Sequence, residues 1–253
     1  MLNGKKVVVV MPAYNAAKTL QRTFEEIPRD FVDEIILTDD FSSDETLALA
    51  QKIGLQVLAH PKNQGYGANQ KTCYRKALQL QADIVIMLHP DYQYTPRLVP
   101  AMACMLAYGE FDACMGTRIL GEGALRGGMP LYKYISNRIL TLLQNLLLGS
   151  KYSEFHTGYR AFRREVLQKL PLEENSNDFV FDNQMISQIV WFGYRLGEVS
   201  CPCRYNQDAS SLSFQRSLLY GIQVLKTSIL FRLARFGWVH PRIFAPDGQR
   251  LSL

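Results

Sequence analysis

Residues 89–93, with the sequence His-Pro-Asp-Tyr-Gln, bring together three side chains that can bind a divalent cation. Asp91 and Gln93 offer oxygen ligands, and His89 offers an imidazole nitrogen, which suits Mn²⁺ better than Mg²⁺. The segment follows the apolar run 84–88, which has the length of a buried strand. Because ligands of open α/β sheets gather beyond the carboxyl ends of the strands, this pattern predicts a cation site. A strand-ending turn is the competing interpretation, since proline and aspartate are common turn residues.

Polar side chains follow two earlier apolar runs in the same way. Tyr14 and Asn15 come after the first run, and Asp39 and Asp40 come directly after residues 34–38. Together they resemble groups that read the base and ribose of a nucleotide. The two aspartates are also consistent with acids at the entry of the next helix, where they favour the helix dipole.

The elements that must position these residues alternate along the chain. Short apolar runs separate stretches with helical spacing, which predicts a parallel sheet flanked by helices. The loop that contains Asn63 and Gly65 leads into the helix predicted at 68–80, and its glycines allow close backbone approach to a ligand. No G-x-G-x-x-G follows the first run and no Walker loop is present, so neither a dinucleotide cofactor nor a P-loop ATPase is indicated.

Composition is that of a globular protein. The 253 residues are 47% hydrophobic and 20% charged, which favours one α/β domain with an appendage. The five cysteines are scattered, without redox or zinc spacing, which fits a reducing compartment. No apolar run approaches the roughly 18 residues of a membrane span, so we expect a soluble or peripheral protein. The net charge of +5 lies in residues 195–253, which carry eight Arg or Lys and three Asp or Glu.

The middle of the chain carries two further cations and one acid of interest. Arg160 and Arg163 lie among aromatic residues and a glycine, which indicates contact with phosphate, and ion pairs with acids on the surface are the alternative. Asp182 precedes the helix predicted at 183–192, where it is either an N-cap or a catalytic group.

Two long helices are predicted in the second half. The helix at 132–148 has a broad apolar face, which we expect in the core rather than in an acceptor groove. Apolar residues recur at helical spacing from 214 to 233 among four cations, and no acid lies between Leu212 and Pro246. A basic amphipathic helix of this kind is typical of an anionic membrane interface. Packing against the domain or a second subunit is the alternative.

An ordered set of motifs resembles the family 2 glycosyltransferases, and within them the dolichyl-phosphate mannose synthases and related polyprenyl-phosphate glycosyltransferases. The set is Pro12-Ala13-Tyr14-Asn15, Asp39-Asp40-x-Ser42-x-Asp44-x-Thr46, Asn63-x-Gly65-x-Gly67, Pro90-Asp91-x-Gln93 and Gly116-Thr117-Arg118. The likeness continues to Ser210 and implies a GT-A fold, a nucleotide-sugar donor, Mn²⁺ or Mg²⁺, and inversion at the anomeric carbon.

The resemblance also implies roles for single residues. Asp91 and Gln93 match a cation motif in which His89 replaces the usual first aspartate. Some residues match family positions that contact the nucleotide or another part of the substrate. They are Pro12, Tyr14, Asn15, Asp39, Asp40, Asn63 and Gly65. Matches to positions at the acceptor phosphate or the donor pyrophosphate are Arg118, Arg160, Arg163, Arg204 and Ser210. We expect Asp91, Asp182, Arg118 and Arg160 to be catalytic.

The expected function is transfer of a sugar from a UDP- or GDP-sugar to polyprenyl phosphate in the synthesis of cell-envelope glycans. Transfer to a hydroxyl of a glycan is the alternative, with Asp182 as the base; a sugar nucleotidyltransferase and a non-catalytic nucleotide-binding module are more remote. We expect a glycosyltransferase domain at 1–210 and an amphipathic tail at 211–253, which contacts the membrane surface or forms a homo-oligomer. No nucleic-acid partner is expected. The expected location is the cytoplasm, with peripheral contact at the inner face of the cytoplasmic membrane.

Overall fold

The chain folds around a seven-stranded sheet in a computed structural model that describes residues 1–121, 123–205 and 214–252. In chain order the strands are β1 (Val7–Ala13), β2 (Glu34–Asp39), β3 (Gln56–Ala59), β4 (Ile84–Met87), β5 (Ala113–Thr117), β6 (Arg160–Arg163) and β7 (Leu196–Ser200). Across the sheet their order is β3-β2-β1-β4-β6-β5-β7. Strand β6 runs antiparallel to both of its neighbours, and the other pairs are parallel. The predicted mostly parallel sheet is confirmed.

Helices cover both faces of the sheet. They are α1 (Ala17–Glu25), α2 (Thr46–Lys52), α3 (Tyr66–Gln79), α4 (Val99–Ala107), α5 (Gly123–Arg126), α6 (Leu131–Leu148), α7 (Arg164–Lys169), α8 (Phe181–Trp191) and α9 (Phe214–Arg235).

Strand β1 shows why the sheet is buried on both sides. All seven of its residues are buried, and four consecutive valines give it the β-branched character that a pleated, covered strand favours. Val8 and Val10 pack with the cluster that includes residues of α3 and α8, whereas Val7 and Val9 pack with the cluster on the α1 and α4 side. Two cores therefore hold the strand ends in place.

The register of the central strands brings three predicted site segments to one edge. Ala13 at the end of β1 pairs with Asp39 at the end of β2, and Val10 pairs with Met87 at the end of β4. Because β6 is antiparallel, Arg160 lies beside Met87, whereas Arg163 lies beside Ile84 at the opposite edge. The carboxyl edge of the sheet is therefore where the loops of β1, β2 and β4 meet.

Helix α6 contradicts the expected burial of its apolar face. Leu142 and Leu146 are 60% and 65% exposed, while Asn137, Thr141 and Gln144 are buried. The spacing correctly located an amphipathic helix, but its polar side faces the domain. Periodicity identifies an apolar face and does not say what covers it.

The C-terminal segment packs against the domain. Phe231, Phe244 and Leu251 belong to the same core cluster as Val8, and the Trp191 ring stacks on Phe244 at 5.0 Å between centroids. The predicted domain boundary at residue 210 falls outside the described residues. No helix among the described residues has both the length and the apolar character needed to cross a bilayer.

Candidate active site

The loops after β1 and β2 are joined by hydrogen bonds at the carboxyl edge. Both oxygens of the buried Asp39 carboxylate accept from Ser42, one from its backbone N–H at 3.0 Å and one from its hydroxyl at 2.5 Å. Asn15, at a left-handed φ of 51°, accepts from the Ser43 N–H at 2.9 Å and donates its own N–H to the Ser42 hydroxyl. Asp39 therefore holds the loop after β2 in its conformation, and Asn15 joins that loop to the loop after β1.

Tyr14 and Pro12 complete this part of the edge. The Tyr14 ring is 56% exposed, so one of its faces is available for stacking on a planar ligand. Pro12 is a buried residue of β1, paired with Thr38. The structure thus brings Pro12, Tyr14, Asn15 and Asp39 together, while their contacts with a nucleotide stay a prediction.

The Asp40 carboxylate organises the loop that precedes α3. Only 3% exposed, it accepts from His60 Nδ1 at 2.7 Å, from the Gln64 N–H at 2.8 Å and from the Gly65 N–H at 3.0 Å. The Asn63 side chain adds a bond to the Asp40 carbonyl at 3.2 Å. Asp40 therefore shapes the loop that presents Asn63 and Gly65, and a direct contact between Asp40 and a nucleotide stays a prediction.

Gly65 is required at its position for two reasons. Its φ is 99°, and a Cβ there would lie 2.5 Å from the Asn177 carbonyl oxygen. A side chain would therefore push this loop away from the segment that precedes α8.

The turn after β4 presents Asp91 at the same edge. Asp91 Oδ1 accepts from the Gln93 N–H at 3.0 Å, and Tyr92 between them adopts a left-handed φ of 57°. Such a conformation is strained for a non-glycine residue, and it is held here by the Tyr92 hydroxyl, which donates to Glu26. Gln93 is buried, whereas Asp91 and His89 are half-buried. The turn and the predicted cation site are thus the same segment.

The residues fit a divalent cation as a partial ligand set. No group of three His, Cys, Asp or Glu side chains that could hold a metal occurs among the described residues. Asp91 and His89 supply one oxygen and one nitrogen donor, so the remaining ligands would come from a bound diphosphate or water, as is usual where Mg²⁺ or Mn²⁺ meets a nucleotide.

Tyr66 connects His89 to Asp182. Its hydroxyl donates to Asp182 Oδ2 at 2.7 Å, and the same oxygen lies 2.9 Å from His89 Nε2. Burial and the adjacent Asp182 charge raise the pKa of Tyr66 well above its usual value, so the hydroxyl keeps its hydrogen. Since that hydrogen is given to Asp182, His89 Nε2 must be the donor in the second bond. In the neutral ring, Nδ1 of His89 then carries the lone pair.

Asp182 lies inside a buried network rather than at a helix cap. Its Oδ1 accepts from Gln70 at 2.8 Å and lies 3.1 Å from the guanidinium of Arg160, whose side chain is 1% exposed. Helix α8 starts at Phe181 without a side-chain cap. Arg160 also donates to the Asp182 carbonyl at 2.7 Å. The guanidinium of Arg160 is therefore buried beside Asp182, and its predicted contact with phosphate stays a prediction.

Arg118 is likewise part of the scaffold. Two of its guanidinium nitrogens donate to Oε1 of the fully buried Glu154, and its backbone N–H donates to Oε2 at 2.9 Å. The guanidinium also donates to the Tyr205 hydroxyl at 2.7 Å and the His156 carbonyl at 2.6 Å. Burial by itself would raise the pKa of Glu154, but the Arg118 charge together with the hydrogen bonds from Arg118 and Asn137 outweighs burial, and the pKa is lowered. These bonds hold the Arg118 guanidinium within the protein, and its predicted contact with phosphate stays a prediction. Sequence reasoning missed Glu154, which carries no local motif.

Of the predicted arginines, Arg204 is the one that lies exposed at the carboxyl edge. Its N–H donates to the Gln93 carbonyl at 2.9 Å, and its guanidinium stands 4.8 Å from the centroid of the Tyr92 ring. This places a cation beside the turn that carries Asp91. Arg163, by contrast, pairs with Asp112 at 3.4 Å on the opposite edge, and its predicted substrate contact stays a prediction. Ser210 lies outside the described residues.

Comparison with known proteins agrees with this architecture. The model of Glycosyl transferase family 2 matches residues 8–171. An uncharacterized protein of Methanocaldococcus jannaschii is 27% identical over 232 residues, covering 92% of this chain and 94% of that protein. A UDP-N-acetylglucosamine–dolichyl-phosphate N-acetylglucosaminyltransferase of Methanococcus voltae is 26% identical, over 66% of this chain and 72% of that protein.

Solved structures show the same fold. Glucosyl-3-phosphoglycerate synthase from Mycobacterium tuberculosis, in complex with Mn²⁺ and UDP-glucose, superposes with a TM-score of 0.68 at 20% identity, covering 94% of this chain and 81% of that one. The family match spans well over half of the chain, and its first residue lies in β1. This chain is therefore a member of glycosyl transferase family 2, with a GT-A fold.

Proposed function

We propose that this glycosyltransferase moves a sugar from a UDP- or GDP-sugar to the phosphate oxygen of a polyprenyl phosphate, with inversion at the anomeric carbon. The dolichyl-phosphate acceptor in the name of the Methanococcus voltae relative supports this class of acceptor. The observation that carries the proposal is the state of Asp182.

A hydroxyl acceptor needs a general base to take its proton, whereas a phosphate oxygen is already anionic. For a hydroxyl acceptor the candidate base is Asp182, but both of its carboxylate oxygens are engaged, by Tyr66 and by Gln70 with Arg160. A carboxylate with these partners is better suited to position other groups than to accept a proton from an acceptor. The geometry therefore favours a nucleophile that needs no base.

In the proposed reaction the acceptor oxygen attacks the anomeric carbon and forms the new C–O bond. The bond from that carbon to the donor diphosphate breaks, and the nucleoside diphosphate leaves with the electron pair. Asp91 and Gln93, with His89, would hold a Mn²⁺ or Mg²⁺ ion, which when bound neutralises charge on the diphosphate. The exposed Arg204 guanidinium, beside the same turn, would stabilise the phosphate oxygens on which negative charge builds up.

The donor would lie across the loops of β1 and β2. Tyr14 presents an exposed ring for the base, and Asn15 and Asp39 hold the loops against each other. Asn63 and Gly65 lie on the loop that Asp40 holds at the same edge, where they would contact the donor.

The test is a transfer assay with radiolabelled UDP- and GDP-sugars, Mn²⁺ or Mg²⁺, and either undecaprenyl phosphate or a soluble glycan acceptor. We expect label in the lipid fraction with one donor, and an anomeric configuration opposite to that of the donor by NMR. Label in the soluble glycan with none in the lipid would overturn the acceptor. Release of pyrophosphate from a sugar 1-phosphate and a nucleoside triphosphate would instead indicate nucleotidyl transfer.

A further inference from the structure

Helices α6 and α9 expose an unusual amount of apolar surface. On α6 the exposed apolar residues are Leu131, Tyr132, Ile135, Ile139, Leu142, Leu143 and Leu146. On α9 they are Leu218, Leu219, Ile222 and Ile229. Positions 135, 139, 142 and 146 repeat every three or four residues, as one face of a helix does. On the longer helix, positions 218 and 222 are four residues apart and 222 and 229 are seven apart, which again places them on one face. Patches of this kind on soluble proteins mark interaction sites.

The buried sides of the same helices include polar residues. Asn137, Thr141 and Gln144 of α6 are buried, and on α9 Thr227 and Ser228 are buried beside the apolar Val224 and Phe231. For α6 this arrangement inverts the usual pattern of a surface helix, in which polar residues face water. Small and polar residues between helices, with apolar residues outside, are typical of helices that face lipid.

The two helices form one surface. Arg232 of α9 donates to the Leu146 carbonyl of α6 at 2.6 Å, and a Cβ on Gly221 would lie 3.8 Å from Leu140. Since each helix turns its buried side to the domain, the exposed rows lie together on the outer side of the pair. We call this pair of exposed rows the α6–α9 face.

The charge of the α6–α9 face selects its partner. Lys133 and Arg138 on α6 and Arg216, Lys226, Arg232 and Arg235 on α9 are the charged residues of the two helices, and neither helix contains an acid. A second copy related by two-fold symmetry would bring these cations against each other, which costs free energy. An anionic lipid surface would instead attract them, by roughly fivefold in binding for each cation near the surface.

Aromatic residues stand at the ends of the two helices. Tyr132 lies in the first turn of α6, and Phe236 and Trp238 follow α9, all three at least 60% exposed. Tyrosine and tryptophan at such positions favour the boundary between lipid headgroups and acyl chains.

We propose that the α6–α9 face docks on an anionic membrane surface, with both helices lying in the plane of the interface. The face is joined to the carboxyl edge of the sheet: Asn137 donates to Glu154, the partner of Arg118, at 2.7 Å, and the Tyr220 hydroxyl lies 2.9 Å from His156 Nδ1. Docking would therefore bring the active site next to the headgroups. This extends the predicted contact of the C-terminal tail to a surface that α6 shares, and it does not depend on the acceptor proposed above.

The experiment is sedimentation of the full chain with vesicles, in the absence of donor and polyprenyl phosphate. We expect binding to vesicles of phosphatidylcholine with one-third phosphatidylglycerol, and weak binding to phosphatidylcholine alone. Leu142→Glu and Ile229→Glu should each lower binding at least roughly tenfold, because each loses an apolar contact and adds a negative charge. Lys226→Gln should lower it roughly fivefold on the anionic vesicles only.

Tyr108→Glu is the matched control, because Tyr108 is 67% exposed at the end of α4, outside the α6–α9 face. It should bind like wild type, and circular dichroism should show that all the variants are folded. Equal binding to both kinds of vesicle, or none to either, would overturn the proposal. So would a wild-type dimer in analytical ultracentrifugation that Leu142→Glu dissociates while vesicle binding stays absent. Failure of lipid glycosylation would leave this result unaffected.

Discussion

The Tyr66 hydroxyl donates a 2.7 Å hydrogen bond to Asp182 Oδ2 across 116 residues of sequence. The same oxygen accepts from His89 Nε2 at 2.9 Å, so the bond reaches the turn that carries Asp91. The buried carboxylate of Asp182 thereby orients the imidazole of His89 through the hydroxyl of Tyr66. Groups that orient a metal-binding histidine in this way typically change metal affinity or activity 10- to 100-fold when removed.

Tyr66→Phe should therefore lower the affinity of the protein for Mn²⁺ while the fold is retained. We expect the Mn²⁺ concentration for half-maximal stabilisation in a thermal-shift titration with UDP to rise about tenfold or more. Tyr74→Phe is the matched control: its hydroxyl donates to Gln70 at 2.8 Å within the same network but does not touch His89. Equal effects of the two substitutions on the Mn²⁺ titration would show that Tyr66 has only a structural role.

Gly158→Ala should perturb His89 from the other side. A Cβ at Gly158 would lie 2.6 Å from both Cδ2 and Nε2 of His89, so the ring must move. We expect the Mn²⁺ concentration for half-maximal stabilisation to rise, as for Tyr66→Phe. Gly221→Ala serves as the control because its Cβ meets Leu140 at an ordinary 3.8 Å. An unchanged titration in Gly158→Ala would argue against His89 as a ligand.

Arg204→Gln should weaken binding of the phosphate groups without unfolding the protein. A charge-assisted hydrogen bond contributes about 1.5–3 kcal/mol, so we expect the KM of the donor or of the lipid acceptor to rise roughly tenfold or more. Arg97→Gln is the control, since Arg97 is exposed and pairs with Glu26 instead. Steady-state kinetics of both variants test this prediction; KM values unchanged for both the donor and the lipid acceptor would exclude contact of Arg204 with phosphate.

Glu154→Gln should destabilise the fold strongly. The substitution leaves the Arg118 charge buried without its carboxylate partner, which costs about 3–5 kcal/mol in the free energy of unfolding. Glu173→Gln removes a half-buried partner of Arg75 and should cost no more than about 1 kcal/mol. Urea unfolding followed by circular dichroism measures both values. Similar losses in the two variants would contradict the structural role of the Arg118–Glu154 pair.

His156 makes the stability of the protein depend on pH. Burial lowers the pKa of His156 from 6.5 to about 4, so between these values the unfolded chain binds a proton that the folded chain does not. With respect to His156, the free energy of unfolding is highest above pH 6.5. It decreases by up to about 3 kcal/mol as the pH falls towards 4. His156→Gln should flatten the dependence of the unfolding free energy on pH in this window. Parallel curves for wild type and variant would contradict the prediction.

The order of strands and helices followed from local patterns. Four consecutive valines in β1 and the short run of β4 are buried strands because the sheet is covered on both faces. The place of the turn with Asp91 and Gln93, directly after β4, was also predicted, because turn residues follow the apolar run of that strand. Ligands gather at such strand ends. The antiparallel insertion of β6 between β4 and β5 was not predictable, because strand order depends on long-range pairing.

What the sequence determined by itself, then, is the family, the order of elements and the loops that meet at the carboxyl edge. The tertiary structure decided which cations face that edge. Arg160 and Arg118 are enclosed by Asp182 and Glu154, carboxylates distant in sequence, and a buried guanidinium requires such a partner. It also decided that the apolar row of α6 faces outward, because amphipathic spacing fixes the two sides of a helix and only packing determines which of them is covered.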